Sequence, residues 1–365
     1  MSEEKVKVFE IAILGRALWE LHSLNNEGNV GNVVEPRSVK IIDPNTGKAV
    51  TTDGISGEML KHIHAEMMWI LDNKNNLCDA CKIQHPERFN YVIKTNSRVK
   101  NSINRPGDAI SQALNTCDIC DIHGFMITEK VTVSRKSTVE FGWALGIPEV
   151  YRDIHLHARH STQTQAIEEV LEPGQWNEHK CSVKGCDTDP NESRLLKING
   201  KWYCEAHAPT AQMIYHRPTR TGEYAIVTVF QPWRICLNEA KQDVYSYECG
   251  DNKGGSSRRL ERYKLALRAY QLMFLRPKGA MTTTRLPHTV NFKGVIVYST
   301  EPIPVPVISP LKDKYKEEIK AIAQSFKNGD NEPIKVVEFN SLSEFVKKLN
   351  NLLNAEPYEM NFNPK

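Results

Sequence analysis

The chain is 365 residues long, and 47 Lys and Arg against 44 Asp and Glu leave a net charge of +3, too near neutral to imply a polyanionic partner by itself. Its 40% hydrophobic and 25% charged residues exclude long disorder, collagen-like repeats and a disulfide miniprotein. At roughly 100 to 200 residues per domain, the length allows one large domain or two smaller ones.

The first strand is predicted over Val6 to Leu14, where Phe9, Ile11 and Ile13 alternate with Glu10 and Ala12 at the period of a half-buried strand. Ser23 to Arg37 (SLNNEGNVGNVVEPR) is rich in Asn and Gly and reads as an irregular surface path. Ser56 is placed to cap a helix over Gly57 to Leu71, with Met59, Ile63, Met67 and Ile70 as its apolar stripe and Lys61 and His64 off it. Alternation at Val131 and Val133, and again at Val139, Phe141 and Trp143, predicts two strands joined by the polar segment Ser134-Arg135-Lys136-Ser137-Thr138.

Tyr151 to Pro209 is poor in apolar periodicity and dense in His, Gly, Asp, Asn and Cys, so it reads as a small inserted module whose order depends on metal. Regular structure resumes with a buried strand at Tyr224 to Phe230 (YAIVTVF). A helix follows Gly254-Gly255-Ser256-Ser257, with Leu260, Tyr263, Leu267, Tyr270 and Phe274 at spacings of three and four and Arg258, Arg259 and Arg262 on its other faces. Pro277 helps to end it. A last core strand is predicted at Phe292 to Tyr298, an extended connector at Ile303 to Pro310, and a Ser341-initiated helix at Leu342 to Leu353. The order fits an α+β fold, a ferredoxin-like or RNA-recognition-motif core with large insertions.

Nothing in Met1 to Phe9 (MSEEKVKVF) resembles a leader, and no apolar run reaches the roughly 18 residues of a membrane span; a cytoplasmic protein with no membrane partner is expected. In a reducing compartment, close cysteine pairs favour metal over disulfides. Cys181-x4-Cys186 followed by Cys204-x2-His207 supplies three thiolates and an imidazole, a closed tetrahedral shell for structural zinc, with Trp202 and Tyr203 placed to pack over it. Cys78-x2-Cys81 with Cys117-x2-Cys120 offers a second, four-cysteine site, for which His85 and His123 are competing ligands. Cys236 and Cys249 read as ordinary unpaired thiols.

Between Gly255 and Arg285, eight basic residues (Arg258, Arg259, Arg262, Lys264, Arg268, Arg276, Lys278 and Arg285) face only Glu261, a local charge of the kind that attracts phosphates in a salt-dependent way. Thr282-Thr283-Thr284-Arg285 adds hydroxyl donors suited to phosphate and 2′-hydroxyl contacts. Catalytic motifs are wanting: there is no phosphate-binding loop, no H-E-x-x-H and no deaminase signature. His155, His157 and His160 (HLHARH) have no partner that spacing can supply, and read as a solvated loop or as core histidines.

Taken in order, SLNNEGNVGN, ISGEMLKHIHAEMM, CDICDIHGFM with VSRKSTVEFGWALG, and KGAMTTTRLPHT resemble the DevR-type backbone subunit of type I CRISPR Cascade complexes, in the repeat-associated mysterious protein superfamily. The resemblance covers Val6 to Pro148 and Met213 to Pro310. It implies a palm of RNA-recognition-motif type with a thumb, split over 1–150 and 213–310, an inserted zinc-binding module at 151–212 and a C-terminal extension at 311–365. It further implies copies stacked head to tail along a CRISPR guide RNA, with other Cascade subunits at hand and target DNA engaged through the guide.

Carried over by position, the resemblance makes Asn25, Asn26, Asn29, Asn32, Arg37, Lys61, His64, Arg135, Lys136, Ser137, Lys278, Thr283, Thr284, Arg285 and His288 contacts to the guide; Arg258 and Arg259 join them from the basic helix. The cysteine modules lie outside the family's minimal pattern. Glu27 and Glu35 sit in an Asn/Gly-rich setting without the Asp that cutting by related subunits needs, so no nuclease activity is expected. The alternatives are a zinc-containing DNA-binding regulator and, behind it, a metal-dependent ribonuclease using the His155 to His160 cluster.

Overall fold

The computed structural model describes residues 5–30, 33–160, 167–208, 212–241, 245–249 and 257–362, side chains excepted at 29–30, 158–160 and 212–215. The chain divides into two units, one of residues 1–27, 36–153 and 219–365 and one of residues 28–35 and 154–218. The architecture is α+β.

The large unit is built on an antiparallel sheet in which Ile334–Phe339, His288–Ser299, Glu10–His22, the 219–230 part of Gln212–Phe230, Ala144–Gly146, Ala49–Ile55 and Ser38–Ile42 lie side by side. Val139–Phe141 also pairs with Thr228 to Phe230. The strand expected half-buried at Val6 to Leu14 runs over Glu10–His22 and is covered on both faces. Ile11, Ile13, Ala17 and Trp19 meet the main core, while Ala12 and Leu14 join Val295, Val297, Tyr315 and Ile319 beneath the Tyr315–Ser325 helix. That covering comes from the C-terminal extension, whose strand Ile334–Phe339 extends the sheet edge and whose Leu342–Leu352 helix packs Phe345 and Leu349 into the main core. Ser341 caps this helix, its Oγ accepting from the Glu344 amide at 3.2 Å.

Two helices carry the main core over one sheet face. Gly57–Asp72 starts where expected, the Ser56 Oγ accepting from the Met59 amide at 3.2 Å. Its buried stripe, however, is Leu60, Ile63, His64, Met67 and Met68, and Ile70 is exposed. The stripe is rotated because the neighbouring helix Arg258–Leu275 offers an aromatic and carbonyl surface that accepts an imidazole. That second helix buries Tyr263, Leu267, Tyr270 and Phe274 as expected, and Ala266, Met273 and Arg262 with them.

Two segments depart from expectation. Asn26–Val30 and Val33–Pro36 are strands rather than an irregular path. Between the four cysteines of the large unit lies a run of short helices (Asp79–Lys82, Phe89–Thr95, Ser97–Ser102, Pro106–Thr116 and Asp118–His123), all but the 11-residue Pro106–Thr116 too brief to show a helical period in sequence. The small unit holds an antiparallel sheet of Ile167–Leu171, Leu195–Ile198 and Lys201–Cys204. Among the described residues, no helix is long and apolar enough to cross a membrane.

Candidate metal centres and nucleic-acid surface

Cys78 precedes the Asp79–Lys82 helix and Cys117 precedes Asp118–His123, so each Cys-x2-Cys pair straddles the first turn of a short helix and turns both sulfurs the same way. The two pairs meet in the core, all four thiols buried, with Cys120 Sγ 3.8 Å from Cys78 Sγ and 3.7 Å from Cys81 Sγ. A tetrahedron of sulfurs about 2.3 Å from zinc has edges of about 3.8 Å. Burial pushes the Cys120 thiol well above its ordinary value, a penalty that a divalent cation removes by taking the thiolates as ligands. The competing histidines are elsewhere: His85 stacks on Tyr91, and His123 bonds His64.

In the small unit, His207 Nδ1 lies 3.7 Å from Cys181 Sγ and 3.1 Å from Cys204 Sγ, and Cys186 Sγ lies 3.7 Å from Cys204 Sγ. The Leu195–Ile198 and Lys201–Cys204 hairpin presents Cys204, and the Ser182 amide bonds the Trp202 carbonyl at 2.8 Å, fastening the Cys181 loop to it. Trp176, Leu195 and Trp202 pack around the thiols, whereas Tyr203 is not part of that cluster. Both groups can hold a metal ion. Cys236 and Cys249, expected as separate thiols, are joined as a disulfide, their Cα atoms 5.2 Å apart; the Cys236 amide and the Asp121 carboxylate bring the first of them into position. Neither His155 nor His157 belongs to a metal-capable cluster among the described residues, and the His160 side chain lies outside them.

Several of the basic residues expected to face RNA are engaged inside the protein. Arg135 is buried, Nη2 donating to Asp121 Oδ1 at 2.7 Å and to the Arg234 carbonyl at 2.7 Å, Nη1 to Glu239 at 3.1 Å. Arg258 pairs with Asp118 at 3.1 Å, and Arg259 donates to the Tyr358 carbonyl at 2.6 Å while lying over the Tyr247 ring. His64 is fully buried. These expectations are corrected. Arg135 and Arg258 are drawn inward because the helical run between the cysteines contributes Asp121 and Asp118 to the interior, and buried carboxylates demand cations. Arg259 is taken up by backbone carbonyls, and His64 by His123 and the Ala266 carbonyl. Ser137 is held by the carbonyls of Ile122 and Val139, while Ser134 and Lys136 are the exposed members of the segment.

Three other expected segments do converge. Asn25 Oδ1 accepts from the Ser56 amide at 2.8 Å, tying the Asn-rich loop to the helix start, and the Ala280 amide donates to the Leu24 carbonyl at 2.9 Å, tying the same loop to the 276–286 segment. Gly279 makes that second approach possible, since a Cβ there would collide with the Leu24 carbonyl. Buried Arg220 holds the loop from beneath, donating to the Asn25 carbonyl at 2.7 Å and to Asn26 Oδ1 at 3.3 Å.

Where the helix and the 276–286 segment meet lies a cavity of about 600 Å³ lined by His62, Glu66, Arg276, Lys278, Thr282 and Thr283, among others. Lys278 pairs with Glu66 at 2.7 Å, Thr283, Thr284 and His288 are exposed, and Arg285 is buried beneath them. Lys61, half-buried on the next turn, has its pKa lowered by burial and by Arg88. Arg37 pairs with Glu27 at 2.9 Å and lies over Trp143. The Asn29 side chain and Asn32 lie outside the described residues. His62 and Arg276 were not singled out from sequence as site residues, though the position of His62 beside Lys61 on an exposed helix face was a usable signal.

The family model described as "CRISPR-associated negative auto-regulator DevR/Csa2" matches residues 13–177 and 201–320. Two solved structures are similar over nearly the whole length. One, titled "CRISPR RNA-guided surveillance complex, pre-nicking", is 9% identical with a TM-score of 0.42, over 96% of this chain and 96% of the other. The other, titled "Crystal structure of Thermofilum pendens Csc2", is 11% identical with a TM-score of 0.35, over 96% and 86%. Likenesses this distant assign nothing to the chain. No curated protein matches it.

Proposed function

Because the chain belongs to the CRISPR-associated DevR/Csa2 family, we propose that it is a non-catalytic backbone subunit of a type I CRISPR interference complex. It binds guide RNA, stacks head to tail with other copies along it beside further Cascade subunits, and presents the guide for pairing with target DNA. The observation that carries this reading is the convergence of the Asn25–Asn26 loop, the start of the Gly57–Asp72 helix and the 276–286 segment around the Arg276 and Lys278 cavity. Exposed hydroxyls and cations along such a surface, Thr283, Thr284 and Arg276 among them, suit sugar-phosphate contacts that carry no sequence preference.

The palm is read as ferredoxin-like, of RNA-recognition-motif type. What supports this is the placing of His288–Ser299, Glu10–His22, the 219–230 strand and Val139–Phe141 in that order, with Gly57–Asp72 and Arg258–Leu275 packed on one face. Both cysteine groups are read as structural zinc sites with four protein ligands and no open position for a water or substrate. Their thiolate and imidazole donors fit zinc better than the oxygen-seeking cations.

The test is affinity for single-stranded RNA of increasing length at low salt. Binding that tightens with length, with several copies per strand and RNA left intact in magnesium or manganese, is expected. A defined dimer on duplex DNA that ignores single-stranded RNA would replace this reading with the regulator, and cleaved RNA would replace it with the nuclease.

A further inference from the structure

The two cysteine groups differ in what surrounds them. Cys78, Cys81, Cys117 and Cys120 are all buried within the main core, beside Leu77, Phe89, Leu114 and Ile119. Cys81 borders a cavity of about 610 Å³, yet its own exposure is 3%. Removing a cation from that site requires the large core itself to open.

The small unit has no such reserve. Among its described residues the apolar cluster contains three buried members, Trp176, Leu195 and Cys204, and one of those is itself a ligand. Cys181, Cys186 and His207 are partly exposed. A cavity of about 470 Å³ borders both Cys181 and Cys186, with His179, Val183 and Thr188 in its walls. A chelator can therefore reach two sulfurs without disturbing the fold, and once the ion has gone too little apolar surface remains to hold the hairpin to the Cys181 loop.

We infer that the Cys181, Cys186, Cys204 and His207 site is an exchangeable zinc site, entered through this cavity by small thiol or aminocarboxylate ligands, and that emptying it unfolds residues 154–218 alone. The tetracysteine site keeps its ion meanwhile. The step is a ligand exchange: an incoming donor bonds the ion as Cys186 Sγ leaves, zinc stays divalent, and the freed thiolate takes a proton from water. The inference rests on the reading of both groups as zinc sites.

The experiment uses the intact chain. Elemental analysis is expected to find two zinc ions per chain. On addition of excess EDTA, with the zinc still bound followed by elemental analysis of samples desalted over time, one equivalent should leave at least about a hundredfold faster than the other, as local and global openings differ. Limited proteolysis after the fast phase should cut only within 154–218. Cys186→Ser should remove the fast phase and leave the slow one. Absence of zinc from both sites would overturn the zinc reading itself. Two zinc ions leaving in a single phase, or a fast phase that persists in Cys186→Ser, would overturn the exchange inference while leaving that reading intact. Should Cys186→Ser fail to fold, the proteolysis pattern of the natural chain decides.

Discussion

His64 Nδ1 lies 2.9 Å from His123 Nε2, with both rings fully enclosed between the Gly57–Asp72 and Arg258–Leu275 helices and the Asp118–His123 turn. His64 Nε2 lies 3.1 Å from the Ala266 carbonyl, so it carries the hydrogen and His64 Nδ1 accepts. His123 Nε2 is then the donor, and its Nδ1 is left as a buried acceptor without a partner among the described residues. Two neutral rings in fixed tautomers satisfy this arrangement; a proton added at His64 Nδ1 removes its acceptor, and one added at His123 Nδ1 buries a charged donor without a partner among the described residues.

Burial drives the His64 pKa down to about 3, and burial, then His64 itself, holds His123 well below its ordinary value. Both folded-state values lie below that of the unfolded chain, so the pair's contribution is complete above pH ~6.5 and is lost as pH falls toward the folded values. Denaturant midpoints measured between pH 7.5 and 4.5 should be level above pH ~6.5 and below it show stability dropping by about 1.4 kcal/mol per pH unit for each histidine. In His64→Phe the slope should be shallower by at least that amount. Any metal-linked part is common to both proteins and cancels in the difference, and equal slopes would refute the wiring.

Asp121 is the hub of a buried ion network, accepting from Arg135 at 2.7 Å and Arg262 at 2.8 Å. Burial alone would raise its pKa, yet the two guanidiniums hold it below the ordinary carboxylate range. Asp121→Asn removes one counter-charge from each cation, leaving Arg135 with Glu239 alone and Arg262 with Asp118 alone, and should cost about 3–5 kcal/mol in urea denaturation at neutral pH. A loss under about 1 kcal/mol would mean that water enters the site.

The proposed RNA surface and the buried network can be told apart by salt. Arg276→Ala and Lys136→Ala should each weaken binding to single-stranded RNA and reduce the slope of log affinity against log salt by about 0.7 per lost phosphate contact, with melting temperature unchanged. Arg135→Ala should do the opposite, lowering the melting temperature and leaving the slope of the folded protein as it was. A slope change in Arg135→Ala would return that residue to the RNA surface.

Asn25, expected as a guide contact, is buried with its Oδ1 accepting from the Ser56 amide. Asn25→Ala should cost about 1–3 kcal/mol by stranding that buried donor, and Asn25→Asp, which keeps an acceptor oxygen in place, should recover most of it. Failure of Asp to recover stability would show that the Asn25 side chain serves another contact.

Whatever depends on neighbours a few residues apart was legible in the sequence. The Ser56 and Ser341 caps, the helices they start, the strand at Tyr224 to Phe230 and both cysteine groups fall in this class, because one helical turn or one knuckle sets the geometry. The helices from Asp79 to His123 were not legible, since four of them have only four to seven residues, and a shared core and four sulfurs hold them; the 11-residue Pro106–Thr116 among them does carry a face of Ala109, Ile110, Ala113 and Leu114. Nor were the fates of His64, Arg135 and Asn25, or the joining of Cys236 to Cys249. Composition marks such side chains as polar and available, but contacts 59 residues away in sequence for His64 and His123, or 31 for Asn25 and Ser56, decide whether they meet solvent. Burial is a property of the assembled chain: an imidazole or guanidinium goes inside only where a carbonyl or carboxylate from a distant segment awaits it, and that partner exists only once the sheet and its two helices have closed.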